Sequence, residues 1–150
     1  MSATPGSGMY SSIVVGIDGS HTSEMALDRA IEIARTSGAR LHLVSAYEPL
    51  PAKVTGGAPA GEDYVAPSSF KADAVLERAL DQTGDLQVEQ HAPTGTAADA
   101  LVEVAEQAGA DLIVVGSVGM QGPKRIFGSV PNRVSHRSPC DVLIIKTTEP

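Results

Sequence analysis

Hydrophobic residues follow two alternating rhythms along this chain. Short unbroken apolar runs, rich in β-branched residues, read as strands buried on both faces. They are SIVVGI at 12–17, RLHLVSAY at 40–47, LIVV at 112–115 and DVLIIK at 141–146. Between them the apolar residues recur with helical spacing. Over 23–37 they are Ala26, Leu27, Ala30, Ile31, Ile33 and Ala34, and Gly38 follows as a stop signal. A second helix is expected from a capping Ser68 or Ser69 to about Gln82, with Phe70, Ala74, Val75, Ala79 and Leu80 inward and Gly84 ending it. A third covers 96–108, with Ala97, Ala100, Leu101, Val104, Ala105 and Ala108 inward, and ends at Gly109. A short fourth helix runs from Val130 to about Arg137. LQVEQHA at 86–92 alternates more than the other strands, as an edge strand does, burying Leu86, Val88 and Gln90.

Strict β-α alternation predicts an α/β fold: a five-stranded parallel doubly wound sheet, helices on both faces, in a single domain. The domain is expected over 10–148, after a flexible tail at 1–9. Residues 48–67 break the pattern. They are rich in Pro, Gly and Ala without a sustained period, and read as a mobile loop.

Composition narrows the function. The formal net charge is −7, which argues against a nucleic-acid footprint and against docking on anionic membranes. No run reaches the about 18 apolar residues of a membrane span. The start, MSATPGSGMY, lacks the basic and apolar regions of a signal peptide. A single cysteine, Cys140, forms no internal disulfide and fits a reducing cytoplasm.

The candidate chemistry lies at 111–131, DLIVVGSVGMQGPKRIFGSVP. An apolar strand ends in Gly116, Gly119 and Gly122, then Gly128-Ser129 opens the fourth helix, with Ser129 as N-cap and Pro131 in the first turn. Glycines admit a ligand close to the backbone, and a helix start offers free N–H groups to an anion. The first strand ends in Gly16-Ile17-Asp18. In doubly wound sheets, ligands bind beyond the carboxyl ends of the strands where strand order reverses. If the first and fourth strands are neighbours there, both endings face one crevice.

These residues resemble the nucleotide signature of the universal stress protein family: Gly, two residues, Gly, nine residues, Gly-Ser or Gly-Thr. Here Gly116-Ser117-Val118-Gly119 is followed by eight residues and then Gly128-Ser129. The resemblance implies strand order 3-2-1-4-5, a homodimer through the last strand (Asp141 through Lys146), and ATP or a related adenine nucleotide as ligand, with Mg2+ accompanying the phosphates. It places Asp18 on the adenine or ribose side and Val44 in the adenine pocket. Gly116, Val118 and Gly119 come close to ribose and phosphate, Gly128, Ser129 and Val130 present N–H groups to the phosphates, and Gly16, Ile17, Val115 and Pro131 belong to the same nucleotide site. The loop is one residue shorter than the family's, and Val118 stands where many ATP-binding members carry a polar residue. Members with a similar Gly-x-Val-Gly segment resemble cyclic AMP binders, a ligand that needs less loop. A nucleotide-free interaction module is the remaining reading.

Catalysis is not expected, beyond slow ATP hydrolysis. The glycine loop has no Gly-Lys-Ser/Thr, so it is not a Walker A motif. Lys124 and Arg125 within it are candidates for phosphate charge or for plain solvated surface. His21, His42, His91 and His136 fall on four different elements without ligand spacing, so no metal site is expected. Cys140 reads as a small buried filler.

Overall fold

Pairing of the apolar runs produces one parallel sheet. The computed structural model describes residues 8–47, 68–117 and 129–146. Within them the order is β1 (Ser12–Gly16), α1 (His21–Ser37), β2 (Arg40–Val44), α2 (Ser68–Leu80), β3 (Val88–His91), α3 (Ala97–Ala108), β4 (Leu112–Gly116), α4 (Ser129–Arg137) and β5 (Asp141–Ile145). The strands lie in the order β3-β2-β1-β4-β5, every pair parallel, as expected.

The sheet has a core on each face, which is why its central strands are apolar without alternation. Ile13, Val15, Leu41, Leu43, Leu112 and Val114 pack with α1 and α2. Val14, Val44, Ile113 and Val115 pack with α3 and α4 on the opposite face. Gly38 and Gly109 end α1 and α3 in the left-handed conformation, with φ of 73° and 64°, and donate their N–H groups to Ala34 and Ala105. Asp111 ties the start of β1 to that of β4: its carboxylate accepts from the backbone N–H groups of Ser11 and Ser12 and from the Ser11 hydroxyl, at 3.0–3.2 Å.

Several details differ from expectation. The buried stripe of α2 is Ala72, Leu76 and Ala79, while Ala74 is exposed on the far side. Gln90 is exposed, and β3 is an edge strand of the described sheet. On α3, Ala97 is exposed and Ala108 half-buried, whereas Ala98 and Val102 are buried. There α4 packs along α3 and widens its buried arc beyond what one sheet would cover; Arg137 in the last turn of α4 pairs with Asp99 in the first turn of α3. Helices α2 and α4 already include Ser68, Ser69 and Ser129, so these serines stand inside helices rather than capping them from outside. Strand β2 stops at Val44, and Tyr47 meets Thr94 only as an isolated bridge. The expected loop at 48–67 and tail residues 1–7 lie outside the described residues; Met9, at the tail's end, is exposed.

Candidate ligand-binding crevice

The crevice follows from the chain path. From β1 the chain crosses through α1 to β2 on one side, while β4 lies on the other, so strand order reverses between β1 and β4. Nothing in the sheet fills the gap above their carboxyl ends. A crevice opens there, and seven of the residues picked out in the sequence line it: Gly16, Ile17 and Asp18 after β1, Val44 of β2, Val115 and Gly116 of β4, and Val130 of α4.

The remaining five stand differently. Pro131 is buried in α4 and is not on the crevice wall. Ser129 opens α4, directly before Val130. Val118, Gly119 and Gly128, with Lys124 and Arg125, lie outside the described residues.

The turn from β1 into α1 is fixed by its own hydrogen bonds. An Asp18 carboxylate oxygen accepts from the Ser20 N–H at 2.9 Å and from the Ser20 hydroxyl. Ser20 is the N-cap of α1 and accepts from the Ser23 N–H, while the Ser23 hydroxyl accepts from the Asp18 N–H. Asp18 is thus a turn residue and a crevice residue together. Its carboxylate is held at the rim and exposed to solvent.

Sequence reasoning missed five lining residues: Thr22, Ser23, Ala46, Ala97 and Leu101. Leu101 was assigned to the core from its helical spacing, correctly, but the same side chain reaches the crevice floor because Gly16 has none. A Cβ built on Gly16 would stand 3.3 Å from both Leu101 methyl carbons. Thr22 and Ser23 sit in the first turn of α1, and the pairing of Ser20 with Ser23 after the strand was the available signal. The walls are otherwise apolar, formed by Ile17, Val44, Ala46, Leu101, Val115 and Val130. Such a surface suits a flat aromatic ring, and the polar rim at Asp18, Thr22 and Ser23 suits a sugar or an anion at a helix start.

The histidines are not as scattered as their numbering suggests. His42 on β2 and His91 on β3 touch, with Nδ1 and Nε2 3.1 Å apart. Burial, then the neighbouring His91, holds the His42 pKa below the ordinary histidine value.

Fold and crevice together define a doubly wound α/β domain with a small-molecule crevice at the switch point. Comparison with known proteins agrees on the fold. The sequence profile of the universal stress protein family matches residues 9–146. The chain is 41% identical over 153 residues to the universal stress protein Rv1636 of Mycobacterium tuberculosis, covering 93% of this chain and 98% of that one. Among solved structures it is similar to a universal stress protein in complex with cAMP, at 38% identity and a TM-score of 0.68, covering 93% and 98%. It is also similar to the universal stress protein UspA from Lactobacillus plantarum, at 25% identity and a TM-score of 0.71, covering 91% and 97%. The chain belongs to the universal stress protein family.

Proposed function

We propose that this chain binds an adenine nucleotide in the crevice between β1 and β4 and acts as a homodimeric cytoplasmic regulator rather than as an enzyme. One observation carries the reading: Gly16 to Asp18 and Val115-Gly116 converge on a single apolar crevice beside the start of α1. The base lies between Val44 and Val115, and the sugar faces Asp18. Cyclic AMP is the preferred ligand, since the 38% identical relative was solved with it and the eight-residue glycine loop suits one phosphate. ATP is the second reading, favoured by the retained glycine signature. Magnesium would then be held chiefly by the phosphates, because Asp18 is the one carboxylate among the described residues of the lining.

Thermal unfolding with cyclic AMP, AMP, ADP or ATP tests this. A ligand at 100 times its Kd stabilises by about 2.7 kcal/mol, a rise in Tm of about 5–10 °C for a domain of this size. No shift with any of the four leaves the interaction-module reading. Asp18→Asn keeps an oxygen for Ser20, so it should fold normally and bind more weakly. Measurable turnover in the wild type that Asp18→Asn removes would overturn the non-enzymatic reading.

The dimer would form along β5, one of the two edge strands of the described sheet, which carries Ile144, 43% exposed. Ile144→Lys is expected to give a monomer in light scattering, with the wild type at twice that mass.

A further inference from the structure

A second cluster lies away from the crevice, where β2 pairs with the edge strand β3. In that register His42 stands directly opposite Glu89, and Val44 opposite His91. Side chains alternate across a strand, so His42, Glu89 and His91 all project from one face of the sheet. Three donor atoms meet there. His42 Nδ1 and His91 Nε2 are 3.1 Å apart, and Glu89 Oε1 is 3.7 Å from the first and 3.6 Å from the second. The circle through three points with these separations has a radius of about 2.0 Å, the bond length of zinc to nitrogen or oxygen.

The surroundings suit an ion. The other Glu89 oxygen faces Arg40 Nη1 at 3.6 Å, which turns Oε1 toward the histidines. His42 is buried, its side chain 5% exposed, while His91 and Glu89 are 28% and 51% exposed, so the cluster has a fixed floor and an open side. That side borders a cavity of about 430 Å³, also lined by Ser11, Ser12 and Gln107. Ser12 Oγ is the one buried side-chain polar atom among the described residues without a hydrogen-bond partner.

We propose that His42, Glu89 and His91 form a three-ligand site for zinc or a similar divalent transition metal, its fourth position open to this cavity. Two imidazoles and one carboxylate with an open position are a zinc donor set. The ion would replace the hydrogen bond between the histidines and join β3, the weakly covered edge, to β2. Arg40 opposes the ion's charge, which sets an upper limit on affinity without removing a donor.

The test uses the full chain, stripped with EDTA and titrated with Zn2+ against a chromophoric chelator. One Zn2+ per chain is expected, with Co2+ in its place giving a tetrahedral visible spectrum. His91→Gln should weaken Zn2+ binding about tenfold or more, and His136→Gln, on α4, should leave it unchanged. Should His91→Gln fail to fold by circular dichroism, Glu89→Gln, at a more exposed position, carries the same expectation. A wild type that takes up no Zn2+, or a loss in the folded variant smaller than that, overturns the site.

Discussion

Replacing Gly116 by valine is expected to destabilise the fold by about 1–3 kcal/mol and to abolish nucleotide binding. A Cβ on Gly116 would stand 2.9 Å from the carbonyl oxygen of Thr22 and 3.2 Å from its Cβ. That oxygen belongs to the first turn of α1, so it is backbone and cannot swing aside. Moving it means moving α1, which is anchored in the core by Ala26, Leu27 and Ala30. Gly116 therefore serves two ends: it lets the start of α1 approach the end of β4, and it keeps the crevice open between them. The sequence alone pointed only to the second, a glycine that admits a ligand close to the backbone. Gly116→Ala separates the two effects. It already carries the clashing atom, so it should lose most of the stability that valine loses. Urea denaturation gives the difference, and Tm should fall by about 2–4 °C per kcal/mol. An alanine variant as stable as the wild type would show that the approach of Thr22 is not limiting.

What was legible in the residues was what depends on local order. The runs SIVVG and LIVVG read as doubly buried strands from their shortness and β-branched residues, and Gly38 and Gly109 marked helix ends because their conformation suits glycine. From these the parallel sheet follows, and the pairing of Gly16 to Asp18 with Val115-Gly116 follows from its switch point. What was not legible depends on contact between elements distant in sequence. Ala98 and Val102 are buried and α4 packs against α3, a contact that no period within α3 announces. Gln90 falls on the apolar phase of its strand, yet it is exposed, and among the described residues β3 has no strand beyond it. His42 and His91 are 49 residues apart, and only the register of β2 on β3 brings their rings together. Thr22 lines the crevice only through the direction in which α1 leaves β1.

Leu101→Ala is expected to cost about 2–5 kcal/mol, the range for truncating a leucine in a packed core. Leu101 is 2% exposed, and it joins the core beneath α3 to the crevice floor. Removing it opens a void that runs into the crevice, so water can enter and the site cannot close over it. Leu101→Met, which keeps the volume, should lose less than about 1.5 kcal/mol. A double substitution isolates the contact with Gly16. Gly16→Ala alone forces a Cβ to within 3.3 Å of both leucine methyl carbons, tighter than an ordinary contact. In a Leu101→Ala background that pressure is gone, and the added methyl instead fills part of the void. The two changes together should therefore cost less than their separate costs summed, by about 0.5 kcal/mol or more for residues in direct contact. Denaturation of the four proteins of this cycle measures the coupling. Strict additivity would mean that Gly16 is small for the ligand's sake alone, and that Leu101 has room to yield.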